Sequence, residues 1–302
     1  HNFKEEDHPR LIRLPAGQGK SFAKDMDRLV QKFQDLLPGI FESDRFKKKV
    51  EDMTESFRNQ QRDIFKEFEE EANAGGFAVV QIQMGNFTRP DLMPIHNNEP
   101  TQFEDLDKLA AAGEFDADRL EELKRSYPKY RSRLDQILSK GRKIEQELQE
   151  ELETLVRRFG SPCVEIHIDD LREKFNDETV NEYLDEIQEH TLDNIGIFKQ
   201  QDDPKAKQQR QGGKPVDPFK VYHVNLLVNN ARCKKPPVVI ETAPSFKNLF
   251  GTIEKELDQN GTWTSDFMNI KAGSILRADG GVLVLNLLEA VNEPLVWKTL
   301  KR

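Results

Sequence analysis

The chain has 302 residues, 33% of them charged and 36% apolar, with a formal net charge of −9. That length supports two domains and a sizeable core, and the acidic balance argues against a nucleic-acid binder, whose affinity comes from Lys and Arg on phosphates. No run of about 18 apolar residues is present, which excludes a membrane-spanning helix; the two isolated cysteines, Cys163 and Cys233, are too few for a zinc site and are expected to stay reduced in a cytoplasmic protein.

Residues 1–20 are short and irregular, with Leu11–Leu14 a candidate edge strand. Ser21 reads as an N-cap for a helix whose apolar positions are Phe22, Met26, Leu29, Val30, Phe33, Leu36 and Leu37, ended by Pro38-Gly39. Ser43 or Asp44 caps the next helix, with Phe46, Val50, Met53, Phe57, Ile64 and Phe68 on its apolar face and Gly75-Gly76 closing it. Phe77–Gln83 alternates as a strand does, and Phe87–Ile95 pairs with it as a hairpin. A second long helix is expected over 116–159. Its Leu120, Leu123, Tyr127, Tyr130, Leu134, Ile137, Gly141, Ile144 and Leu148 keep a 3-4 spacing, which is a coiled-coil seam. Pro128 marks its true start or a kink, and Pro162 punctuates after it. The two long helices are expected to run antiparallel, and Ile168–Phe175 and Val180–Phe198 read as further helices.

Lys199–Pro218 is polar and of low complexity and reads as a linker, flexible over 200–216. Beyond it, Tyr222–Val228 and Val238–Ile240 are strand-like. The run Val282–Leu285 follows the turn Asp279-Gly280-Gly281 and has the composition of a strand buried on both faces of a parallel sheet. Leu287–Leu300 then reads as a helix. The organisation expected is α/β with a large α-helical insertion: a core from 1–20 and 217–302, and a helical arm over 21–199 carrying the small hairpin.

The chemistry visible in the sequence is sparse. Pro15–Ser21 has the Gly-Lys-Ser end of a phosphate loop, but Leu14 stands where the first glycine must wrap the phosphates, so it reads as a turn ahead of a helix. In nucleotide-binding α/β proteins, the acid that holds magnesium ends a strand like Val282–Leu285; here that position is Asn286, and Leu287 follows where a water-activating Glu is often found. The six histidines show no metal-ligand spacing, no metal site is expected, and no nucleophile motif is present. Glu150-Glu151 reads as a solvated helix face. Trp263, Phe267 and Met268 lie in a polar, Gly-containing stretch. They are either anchors packed onto the core or an aromatic loop that grips a partner chain.

Three separated motifs carry a resemblance. His1-Asn2-Phe3, His8-Pro9-Arg10 and Leu14-Pro15-Ala16-Gly17-Gln18-Gly19 resemble the segment after the phosphate loop in Lon-like ATP-dependent serine proteases. Ser245–Glu254 is similar to their Pro-Thr-Tyr-x-Asn-Leu-Phe-Gly-x-Ile-Glu stretch, and Lys271–Gly281 to their Gly-Ala-x-His-Arg-Ala-Asn-Gly-Gly. The helical middle matches the position of the insertion in bacterial B/C-type members. The resemblance implies a partial AAA+ core with an antiparallel coiled-coil arm. It also implies ATP and magnesium as family cofactors, a hexamer in the whole protein, and unfolded or damaged proteins as substrates of a Ser–Lys protease.

The phosphate loop would lie upstream of His1, and the sensor residues, lid and protease domain beyond Arg302. The chain is therefore expected to be part of a longer protein, with no proteolytic residue to assign and no ATP-magnesium held by this stretch itself. An arm helix of ~40 residues reaches roughly 60 Å. Phe87, Leu92, Met93 and Ile95 are its expected exposed tip, holding unfolded chains by weak apolar contacts. The competing readings are a structural coiled-coil assembly module without nucleotide chemistry, and an active nucleotide enzyme in its own right.

Overall fold

The fold is that of a computed structural model, which describes residues 1–5, 8–84, 87–198, 217–257 and 261–302, with backbone alone at 84, 87 and 88. The expected linker at 200–216 lies outside the described residues. Most of the described chain is helical, with small sheets at intervals. No helix among the described residues is long and apolar enough to cross a membrane. The chain divides into two compact units, 44–155 and 1–43 with 156–302.

The 44–155 unit is built from α2 (Asp44–Ala74), the hairpin β1 (Phe77–Met84) and β2 (Phe87–His96), the short β3 (Glu99–Pro100), α3 (Phe103–Ala111) and the first two thirds of α4 (Ala117–Phe175). The helix ends where the sequence places it, and each hairpin strand runs one residue further than expected. β1 and β2 are antiparallel, from Phe77 opposite Pro94 to Met84 opposite Phe87. α2 and α4 run antiparallel: the Tyr130 ring lies over Gly75, and Gln61 lies beside Gly141. Phe68, Ala72, Phe77, Leu92, Leu123, Leu134 and Ile137 form one buried cluster. Apart from Ala72, each of these side chains contributes about 1.5–3 kcal/mol by leaving water.

The prolines do not act as breaks. α4 continues through Pro128 and Pro162 to Phe175, absorbing the helix expected separately at Ile168–Phe175. α1 (Gln18–Glu42) likewise runs through Pro38 and starts at Gly17, whose φ of 92° is left-handed, rather than at Ser21. An interior proline costs about 3 kcal/mol. Leu155, Val164, Ile168 and Leu171 are all buried on the α4 stretch around Pro162, and together outweigh that cost.

In the other unit, α1, the end of α4 and α5 (Glu178–Asp193) share an aromatic core. Phe22 meets Phe175 edge-on at 5.1 Å, and Phe198 packs on Phe33, Phe219 and Tyr222. Burial pushes the Tyr222 hydroxyl up to about 12, and it lies 2.9 Å from His190 Nδ1. Asp177 caps α5 by accepting the Val180 N–H. Arg10 ties the N-terminal stretch to α5 through Glu182 at 2.5 Å and Glu186 at 2.7 Å. The ends of the chain thus share one body.

Two expected strands form no ladder: Leu11–Leu14 and Tyr222–Val228 pair with nothing among the described residues, and Tyr222 instead closes the 3-10 turn Lys220–Tyr222. β4 (Val238–Glu241) and β9 (Val282–Leu285) do pair, in parallel, with Val238 opposite Val282 and Glu241 opposite Leu285. The expectation that β9 is buried on both faces fails. Leu283 and Leu285 pack on Leu249, Ala290 and Val296, while Val282, Val284, Val238 and Ile240 are exposed, Ile240 by 70%. Helices cover one face of this two-stranded pair only, so burial alternates residue by residue. The helix expected over Leu287–Leu300 is two short ones, α8 (Leu287–Asn292) and α9 (Val296–Leu300), parted at Pro294, with Leu295 at φ 67°.

Candidate functional site

In open parallel sheets, ligands collect where the strands end at their carboxyl edge. Glu241 and Asn286 leave β4 and β9 at that same edge. The buried Ser274 donates its hydroxyl to Glu241 Oε2, and Ala243 N–H donates to Oε1 at 3.1 Å. Arg277 donates to Ser274 Oγ at 2.9 Å and lies 3.7 Å from the carboxylate. The Ser274 hydroxyl, then the Ala243 N–H, then the nearby guanidinium hold Glu241 below its usual carboxylate range. The sequence missed this trio as a set. Ser274 and Arg277 lay inside a quoted motif, but their common partner is 33 residues away from Ser274.

The edge is framed by a close crossing. α6 (Phe246–Phe250), capped by Ser245, ends at Gly251, and α7 (Ser274–Arg277) starts after Gly273. A Cβ on Gly273 would overlap the Leu249 carbonyl oxygen, and one on Gly251 would overlap the Lys271 oxygen. Two backbones touch there, so only glycine fits at either position.

Asn286 is fully engaged as the N-cap of α8. Its Oδ1 accepts the Leu288 N–H at 3.0 Å, and its Nδ2 donates to Glu289 Oε1 at 3.1 Å. Leu287 beside it is 59% exposed and carries no acid. A neutral amide with its oxygen already bonded does not fit a hydrated magnesium ion, which takes carboxylate and water oxygens. Among the described residues, no three His, Cys, Asp or Glu side chains converge as metal ligands.

The aromatic candidates separate. Trp263 is 65% exposed on β7 (Trp263–Thr264), directly opposite the exposed Leu257 of β6 (Glu256–Leu257). Phe267 and Met268 are half-buried in a single 3-10 turn, which Asp266 caps by accepting the Met268 N–H at 2.7 Å. Asn225 fastens that turn. Its Nδ2 donates toward the carbonyls of Phe267, Met268 and Ile270 at 2.9, 3.3 and 2.9 Å. The polar Asn225 inside the apolar run 224–228 was the one signal of this clasp in the sequence. Phe267 also lines a cavity of about 660 Å³ bounded by residues 9–17, 224–230 and 233–237.

The hairpin candidates divide as well. Leu92 is only 4% exposed and belongs to the buried cluster, so it cannot serve in an exposed tip; in register it faces Val79, beneath the helices. Met93 and Ile95 are half-buried. Phe87 lies opposite Met84 at the far end of the hairpin, and its side chain is outside the described residues.

Residues 234–302 match the family model described as LonB-like, AAA domain. Residues 1–29 match the one described as Lon-like LonC helical domain. No curated protein matches the chain. The first match covers the parallel pair, the glycine crossing and the capped Asn286; the second covers the N-terminal stretch and the start of α1. Both ends of the sequence are thus similar to Lon-like proteins, the first 29 residues to a LonC-type helical domain and the last 69 to a LonB-like AAA domain.

Proposed function

We propose that the chain is the ATPase-like core and helical arm of a Lon-like ATP-dependent serine protease of the cytoplasm, that it handles polypeptide, and that it hydrolyses no ATP at its own β9 edge. In this reading, 1–20 and 217–302 are the partial AAA+ core, 200–216 a flexible linker, and 21–199 the insertion. The α2–α4 pair is an antiparallel coiled coil that captures unfolded or damaged proteins. The whole protein works as a hexamer, with ATP and magnesium as family cofactors and the Ser–Lys dyad outside this stretch.

The observation that carries the reading is the exposed apolar pair Leu257–Trp263 on a short hairpin of the AAA region. Exposed aromatics carry disproportionate binding energy against extended chains. The capped, uncharged Asn286 supports the second half of the proposal.

Two titrations test it. A carboxymethylated, permanently unfolded protein should bind the full chain. Trp263→Ser should weaken that binding roughly tenfold with the circular dichroism unchanged. Binding that Trp263→Ser leaves untouched, or none by the parent chain, rejects the polypeptide role. ATP-magnesium should produce no heat with the parent chain, and turnover by it would reject the blunted-edge reading.

A further inference from the structure

The two strand-like stretches that find no partner, 10–14 and 224–228, line the same cavity. Neither is helix, turn or ladder. Among the described residues, no backbone N–H or carbonyl in either stretch makes a hydrogen bond. Burial nevertheless alternates along the first, with Arg10, Ile12 and Leu14 half-buried and Leu11 and Arg13 exposed, the period of a strand. The stretches converge where α1 begins: a Cβ on Gly19 would sit 3.0 Å from Leu226, and one on Gly17 3.6 Å from Ala231.

Backbone groups are obligatory donors and acceptors, and a row of unpaired ones beside apolar side chains is a template for another strand. Five extended residues span at most roughly 18 Å, enough to meet a short peptide. The wall of the cavity is cationic. Arg13, Lys234 and Lys235 are exposed and make no ion pair among the described residues, against the single acid Asp279. Arg10 is already committed to α5.

We infer that this cleft binds an extended acidic polypeptide of a partner chain by strand addition. Main-chain hydrogen bonds to 10–14 and 224–228 supply the affinity, alternate apolar side chains enter the cavity, and acidic ones meet Arg13, Lys234 and Lys235. The inference goes beyond the proposed function and does not need it, because Trp263 is not among the residues lining the cleft and neither nucleotide nor protease is involved. Failure of one leaves the other standing.

Cys233 is exposed on the wall of the cavity and reports its occupancy. In the full chain carrying Cys163→Ser, alkylation of Cys233 is timed with three synthetic peptides of about eight residues, the length of a short strand. A peptide alternating valine and glutamate should slow alkylation about fivefold or more at saturation; the same peptide N-methylated on alternate residues, and one alternating valine and lysine, should not. Lys234→Glu with Lys235→Glu should move the preference to the lysine peptide. Equal protection by the N-methylated peptide overturns strand addition, because it shows a pocket that reads side chains alone. So does the absence of protection by any peptide. A Cys233 already shielded before peptide is added also overturns it, since the occupant would then be a segment of the same chain.

Discussion

The hairpin β1–β2 and the parallel pair β4–β9 are both apolar, and they are finished differently. β1 and β2 are neighbours in sequence. They pair over eight positions and bury Phe77 and Leu92 under helices from their own unit. β4 and β9 are separated by 40 residues, pair over four positions, and leave Val238, Ile240, Val282 and Val284 in water. A two-residue connection sets antiparallel register locally, whereas parallel strands need a crossover and covering on both faces. The first region is therefore self-sufficient, and the second rests on a few exact contacts: a glycine crossing, a cap and one carboxylate.

If that contrast holds, core truncation should matter most in the first region and point contacts in the second. Leu134→Ala, at a fully buried position, should destabilise the 44–155 unit by about 2–5 kcal/mol. Amide exchange should accelerate along β1–β2 and stay unchanged at β4–β9; equal acceleration in both would erase the distinction. Gly273→Ala should cost about 1–3 kcal/mol, because the added methyl meets backbone rather than a yielding side chain. Its exchange signature should be the reverse, confined to residues 238–285. Asn286→Ala should cost about 1 kcal/mol through loss of the α8 cap, read as faster exchange of the Leu288 amide.

The smallest effect depends on pH. Glu241 titrates below its ordinary range in the folded chain, so it contributes stability that is complete above the unfolded value of 4.5 and is lost as pH falls through the lower folded value. Glu241→Gln should flatten the acid limb of β4–β9 stability and change little at neutral pH. An acid limb that survives the substitution would assign it to another group.

The same contrast explains what the sequence disclosed. Periodicity located α2, the hairpin and the apolar face of α4, because there the code is local and one apolar face has one neighbour. It misjudged Pro38 and Pro162 as stops, since a local breaker is overruled by burial contributed from elsewhere in the fold. It took Leu92 for an exposed tip residue because strand alternation gives two faces without saying which is covered. In the AAA region, the motif glycines and Asn286 stood out by residue type. The Glu241–Ser274–Arg277 linkage did not, because its members meet only through the crossover. Nor did Leu11–Leu14 and Tyr222–Val228 reveal that their strand-like composition would go unmatched.

Asn225 has a consequence of its own. It presents its NH2 group, not its oxygen, to three main-chain carbonyls at once. Exchanging that nitrogen for oxygen, the change that slow deamidation makes as a protein ages, would aim a negative charge at three oxygen lone pairs. The clasp over Phe267 would then open with no loss of volume, so this side chain makes the molecule's shape there sensitive to its chemical age.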